Sequence, residues 1–374
     1  MNRYDVIIVG GGLAGLTAAI HLRRKNYHVL VIEKEPYPHH KVCGEYLSNE
    51  VLPYLNSLEV NLPTTISIDT LEFSSQKGSS VRLSLPLGGV GISRYALDDT
   101  LYKKALAAGA TVTFDTVCSV HFNSKEFAVE TDNNTKYTAA FVIGAYGKRS
   151  NLDKFIQRPF INKKSPWLGV KAHYNIPDFP DNLVGLHNFE GGYAGLSKTE
   201  TGAVNFCYLT TYKSFQPFGN IDSFNKGIVA KNPFLGAFLA VATPLFDNPL
   251  SIAQISFEHK KSIENHILMC GDTAGLIHPL CGNGMAIAIH SAKIASELIH
   301  DYFQKSNITR EEIEIRYQQQ WSDVFRSRLR TGRYLQSLLM QPLLANVILH
   351  SVARSPRVLR EIIKRTHGNL IEGI

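Results

Sequence analysis

Gly10, Gly12 and Gly15 form a G-x-G-x-x-G directly after the apolar run of residues 6–9, and Glu33 follows a second apolar run at residues 28–32. This spacing suits the capture of a dinucleotide. Gly10 permits a tight turn, Gly12 lets a pyrophosphate approach the backbone, and Gly15 lets the next helix pack on the sheet. The N-terminus of that helix faces the negative charge, and Glu33 can accept hydrogen bonds from a ribose diol. A second group with chemical potential is Gly271-Asp272, at the end of the short apolar run 267–270, with Pro279, Gly282, Asn283 and Gly284 ahead of a small-residue helix. Cys43 lies between the first loop and the next helix; by residue type alone, burial as a small hydrophobe is its better reading. Cys281, beside Gly282, could approach the same ligand. His39 and His40 read as a solvated loop, and His278 as a structural histidine rather than a proton donor.

The elements that must position these residues follow from the pattern. Residues 6–9 are a continuous apolar run, as a buried parallel strand requires. Residues 16–25 read as a helix, and 46–58 as another, with Leu47, Val51, Leu55 and Leu58 on one face. Residues 70–75 and 80–85 flank Lys77-Gly78 as a hairpin. Arg94 opens a helix that ends near Gly109, and 111–120, 127–131 and 137–143 are β-type runs. In the middle, 167–174, 183–189, 192–197, 203–209 and 252–257 read as strands of a mainly antiparallel sheet, with helix between 220 and 238. Residues 284–299 read as helix, and from 311 onward the chain reads as helices only. A signal peptide over residues 6–22 is the rival for the first stretch; three spaced glycines and Asp5 in the flank argue against it.

With 374 residues, 44% apolar and 19% charged, the chain has the composition of a globular protein with room for two domains. No apolar run is long enough to span a bilayer. The five cysteines are scattered without a C-x-x-C pair, which argues for a reducing, cytoplasmic compartment and against both a disulfide scaffold and a zinc site; no bound metal is expected. From residue 324 on, nine basic residues stand against two acidic ones, which accounts for the whole net charge of +7. The basic character belongs to that segment alone, so nucleic acid is not an expected partner.

Three motifs in order resemble the flavoprotein superfamily of p-hydroxybenzoate hydroxylase and geranylgeranyl reductase. They are the glycine motif with Glu33; Gly144-Ala145-Tyr146-Gly147-Lys148-Arg149-Ser150, similar to G-A-D-G-x-x-S; and Gly271-Asp272 with Pro279-Leu280-Cys281-Gly282-Asn283-Gly284, similar to G-D-A-A and P-x-x-G-x-G. Arg94 with Leu97-Asp98 also matches R-x-x-L-D. The resemblance covers roughly residues 1–300 and implies FAD, with NAD(P)H as electron donor. Glu33 would hold the adenosine ribose, Asp272 the ribityl or pyrophosphate region, and Arg94 would lie along the same stretch. The backbone at Gly282, Asn283 and Gly284 would meet the flavin pyrimidine edge, where a helix N-terminus favours negative charge. Leu13, Ala14, Lys34, Gly271, Pro279 and Met285 complete the implied cofactor set. Two departures stand out: Tyr146 replaces the family's Asp, and Gly275 stands where many hydroxylases have His. Cys43-Gly44 resembles the start of the reductase C-G-G-G, with Glu45 and Tyr46 in place of the later glycines, and makes Cys43 the implied catalytic residue. The segment 191–197 lacks the reductase Y-x-W-x-F-P. The halogenase W-x-W-x-I-P is also absent, since the only tryptophans are Trp167 and Trp321.

The resulting expectation is an α/β protein: a Rossmann-like FAD-binding domain (1–62, 94–160 and 262–300), an inserted, mainly antiparallel substrate domain (63–93 and 161–261) and a C-terminal helical segment (301–374). The first expected function is monooxygenation of a small or lipophilic organic substrate through a flavin C4a-hydroperoxide. The alternative is reduction of isoprenoid C=C bonds, and the third a non-enzymatic flavin-binding protein. The apolar stripe from Leu335 to Val352, with Pro342 and Pro356 in first turns and basic residues beyond, admits two readings: a helical cap over the second domain, which is favoured, or peripheral contact with an anionic membrane, on its inner face.

Overall fold

The computed structural model describes residues 2–278, 282–339, 363 and 368–374. Two sheets organise them. The first has eight strands, with a parallel centre in the order Ile267–Met269, Lys136–Gly144, Asn2–Val9, Val29–Glu33, Thr111–Phe114. Val6, Ile7 and Ile8 are completely buried, as a strand covered on both faces demands. Helices Leu13–Arg24, Arg94–Ala107 and Gly284–Gln304 pack together against this sheet. The carboxyl ends of Asn2–Val9 and Ile267–Met269 therefore open on the same edge, and both glycine-containing loops leave from there.

The second sheet has nine strands. Its strand Trp167–Asn175 shows the alternation that matters for function. Leu168, Val170, Ala172 and Tyr174 join a core with Phe224, Leu235 and Phe238 from two covering helices. Lys171 and His173 alternate to the opposite face, toward the first domain.

Several expected elements differ. Residues 46–58 do not form one helix: Tyr46–Ser48 is a strand of the second sheet, antiparallel to the glycine-rich stretch 89–91, and only Leu52–Ser57 is α-helical. Tertiary pairing overrides the helical spacing here. A Cβ at Gly89 would lie 2.5 Å from the Tyr46 ring, so the close strand contact depends on that glycine. The run 111–120 is divided at Asp115-Thr116 into two strands. The strand expected at 252–257 is Leu250–Ala253, and Gln254 turns away with φ 58°. The helix Arg310–Leu339 then crosses the first domain, and the end of the chain returns to it, where Ile371 donates its N–H to the Glu50 carbonyl at 2.8 Å. Most of the apolar and basic C-terminal stripe, with Pro342 and Pro356, lies outside the described residues.

Candidate functional site

The glycine turn is built for two close approaches and one open space. Gly10 has φ 101°, and a Cβ on it would lie 2.5 Å from the Ala145 carbonyl oxygen. A Cβ on Gly15 would lie 1.9 Å from the Gly10 carbonyl oxygen, so helix and strand touch backbone to backbone. Gly12 is different: its Cβ would meet only Arg94 Nη2, at 3.6 Å, and it lines a cavity. Glu33 accepts hydrogen bonds from the N–H groups of Gly11 (2.6 Å), Lys34 (3.0 Å) and Glu35 (3.3 Å), which fix its carboxylate at the end of the second strand.

Arg94 faces Gly12 from the first turn of its helix. Its guanidinium grips Asp98 with two bonds of 2.7 Å, one helical turn on, and Lys41 Nζ adds a third contact at 3.1 Å. Burial opposes ionisation of Asp98, but Arg94 and Lys41 outweigh it and hold its carboxyl below the usual range. The spacing in R-x-x-L-D is thus the i, i+4 pairing that aims the arginine.

The loop Gly271–Thr273 is held from behind. Gly271 has φ 58° and donates its N–H to Ser291 Oγ at 2.8 Å. Buried Lys260 donates to the carbonyls of Asp272 and Lys148, both at 2.9 Å, and burial lowers its pKa to about 8. Arg158, also buried, donates to the Thr273 carbonyl at 2.9 Å, and the Thr273 hydroxyl accepts the Gly147 N–H at 2.9 Å. Tyr146, the departure from the family motif, directs its hydroxyl to Asp153 at 3.1 Å, away from the cavity.

These parts surround one cavity of about 320 Å³. At one end it is lined by Gly12, Leu13, Ala14, Arg94, Asp272 and residues 282–285, where the long helix begins. At the other end Leu71, Phe73, Leu85, Val184, Leu186 and Leu209 form an apolar wall on the second sheet.

Between the two ends lies the loop Cys43-Gly44-Glu45. Asn205 donates to the Cys43 carbonyl at 3.1 Å, and the Cys43 thiol faces the cavity region beside the Glu45 N–H, 3.5 Å away. Glu45 is completely buried and left-handed, at φ 55°. Its carboxylate meets Lys171 Nζ at 2.5 Å, the Arg94 N–H at 2.8 Å and His173 Nε2 at 2.6 Å. Burial alone would raise its pKa; the His173 bond and the Lys171 charge outweigh burial and hold it low. His40 is not in a solvated loop: it packs against Tyr95, His173 and Phe246, and burial lowers its pKa to about 4. One ligand atom from each of His40, Glu45 and His173 lies within 4.8 Å of the others. The Lys171 ammonium already neutralises this carboxylate, which disfavours a cation in the cluster.

The pyridine nucleotide-disulphide oxidoreductase family matches residues 4–158. A menaquinone reductase of Mycolicibacterium smegmatis is 25% identical over 99% of this chain and 92% of its own. A digeranylgeranylglycerophospholipid reductase of Methanosarcina acetivorans is 23% identical over 86% of this chain and 81% of its own. A solved flavin-dependent brominase superposes with a TM-score of 0.78 at 17% identity, covering 98% of this chain and 93% of that one, which is a likeness of fold. Together these matches support a FAD-dependent oxidoreductase.

For such a protein the question is whether FAD fits. The open space over Gly12, against the filled space over Gly10 and Gly15, is room for a pyrophosphate. Glu33, held by three N–H groups, has one acceptor site of its carboxylate left for a ribose hydroxyl. The residues fit the group. Of the residues expected at the cofactor, Gly12, Leu13, Ala14, Arg94, Gly271, Asp272, Gly282, Asn283, Gly284 and Met285 line the cavity, whereas Gly10 and Gly15 act through packing. Lys34 is placed elsewhere: its ammonium pairs with Glu35 at 3.2 Å in solvent, and only its N–H contributes, to Glu33. Pro279 and Cys281 lie outside the described residues. His278 is buried against Trp167, Tyr193 and Phe257, and burial lowers its pKa to about 3, so it stays neutral. Sequence patterns alone do not single out Glu45, Lys171, His173, Lys260 or Arg158. A polar pair at i, i+2 in a mainly apolar strand, Lys171 and His173, is the signal that could have found the cluster.

Proposed function

We propose that this flavoenzyme reduces C=C bonds in the isoprenoid chain of a lipid. The observation that carries this reading is the single cavity that joins the dinucleotide end to a wall of six apolar side chains. Such a wall can bind a hydrocarbon chain and exclude water, while Tyr193, Ser197 and Tyr208 in the same lining add a few polar groups. The relatives named as reductases of menaquinone and of digeranylgeranylglycerophospholipid support the same substrate class. FAD, when bound and reduced by NAD(P)H, supplies hydride. The start of helix Gly284–Gln304 stabilises negative charge at the near end, and Cys43, between the two ends, holds the proton that completes the addition. The lipid would be met at a membrane surface through the basic C-terminal segment; no helix among the described residues is long and apolar enough to cross a membrane.

Monooxygenation, the first expectation from sequence, remains the second reading, because an apolar lining of this kind would shield an oxygenating flavin equally well. The test is anaerobic: photoreduced holoprotein is mixed with geranylgeranyl lipids that carry no quinone. Reoxidation of the flavin, seen by absorbance, supports reduction of the lipid. A flavin that stays reduced with every such lipid and reoxidises only on admission of O₂ refutes it.

A further inference from the structure

The basic residues of helix Arg310–Leu339 fall on two different faces. Arg328 pairs with Glu50 at 3.2 Å. Arg326, Arg330 and Arg333 stand at i, i+4 and i+7, within an arc of roughly 60°, and none forms an ion pair with an acid among the described residues. All three line a second cavity of about 150 Å³, whose floor includes Phe257 and Trp321. Trp321 is 7% exposed, and its indole N–H has no hydrogen-bond partner among the described residues. The acid in the lining, Glu258, is already taken by Lys163 Nζ at 2.7 Å. Lys260 lines this cavity too, while its ammonium reaches the Asp272 carbonyl. Leu276 lines both cavities, so the second pocket lies directly behind the loop that presents Asp272.

We propose that Arg326, Arg330 and Arg333 form a binding site for the phosphate group of a phosphorylated small molecule, adjacent to the flavin site and separate from it. Three guanidinium groups with no acidic partner among the described residues present forked donors suited to phosphate oxygens. The cavity of about 150 Å³ has room for a phosphate or diphosphate group. The phosphate could belong to the nicotinamide nucleotide that reduces the flavin or to a phosphorylated lipid substrate. Only the naming of these two sources rests on the proposed function; the phosphate site stands on the arginine face itself.

The experiment is calorimetric titration of FAD-loaded, full-length protein with sodium pyrophosphate. Retained flavin absorbance and unchanged circular dichroism serve as controls for folding. One saturable site is expected, weakening as salt rises. Arg330→Gln should weaken it at least tenfold, as loss of a charge-assisted contact does, and Arg330→Lys should restore part of it. Arg326→Gln provides an independent variant if Arg330→Gln fails to fold. Two further pairs identify the source: NADPH against NADH, and geranylgeranyl diphosphate against geranylgeraniol. The pair whose preference for the more phosphorylated member collapses in Arg330→Gln names it. Absence of saturable pyrophosphate binding, or binding indifferent to both substitutions, would overturn the proposal.

Discussion

Replacing Glu45 by glycine tests how the central loop is held. The position has φ 55°, so glycine relieves a left-handed backbone by about 1 kcal/mol. The same change strands Lys171, which is completely buried and loses its 2.5 Å partner. Removing one member of a buried pair costs about 3–5 kcal/mol, so the net loss is about 2–4 kcal/mol. An unfolding entropy of about 2.1 cal/mol/K per residue gives roughly 0.8 kcal/mol/K for a chain of 374 residues. A cooperative melt should therefore fall by about 3–5 °C. Lys171→Met in the Glu45→Gly background should recover most of that loss, because no unpaired charge remains. The pH dependence has a definite sign. The folded-state pKa of Glu45 is depressed, so its contribution is present above the ordinary carboxylate pKa and is lost as pH falls through the folded value. Glu45→Gly should lack that part of the acid transition. The measurement is a double-mutant cycle of thermal unfolding followed by circular dichroism at neutral and acid pH. Additive effects of the two substitutions would refute the claim that Lys171 depends on Glu45.

Gly12→Ala should fold and lose FAD affinity, whereas Gly15→Ala should fail to fold, because its Cβ would lie 1.9 Å from a backbone oxygen; flavin content and circular dichroism of the two variants separate these outcomes, and equal behaviour would contradict them. Cys43→Ala should lower turnover with little change in FAD affinity, measured by steady-state rates and flavin titration; full activity would make the residue structural. Lys260 titrates at about 8 in the folded chain and near 10.4 unfolded, so the unfolded chain binds more protons between those values and stability should rise with pH across that window. Urea melts at both ends of the window should show a smaller rise for Lys260→Met; an identical rise would mean that Lys260 is not the group responsible.

The parts of the site that depend on neighbours along the chain are legible in the sequence. Gly10, Gly12 and Gly15 serve one strand–turn–helix unit, and Arg94 and Asp98 share one helix face, so spacing alone carries the geometry. Glu45 is opaque for the opposite reason: its partners Lys171 and His173 lie 126 and 128 residues further along the chain, and nothing local requires a buried carboxylate after Cys43-Gly44. Tyr46 to Ser48 reads as helix because Leu47, Val51, Leu55 and Leu58 do share a helical period, while strand pairing with the glycines at 89 and 91 decides the conformation. Lys260 and Arg158 act through backbone carbonyls of a distant loop, a role with no signature in residue type.

The central claim is that the cavity serves hydride addition to a lipid C=C bond. Mass spectrometry of the lipid recovered after turnover with NAD(P)H, run in parallel under nitrogen and under labelled O₂, tests it most directly. The account predicts a product that gains two hydrogens in both atmospheres and carries no label. A product formed only under O₂ and carrying one labelled oxygen atom would contradict it.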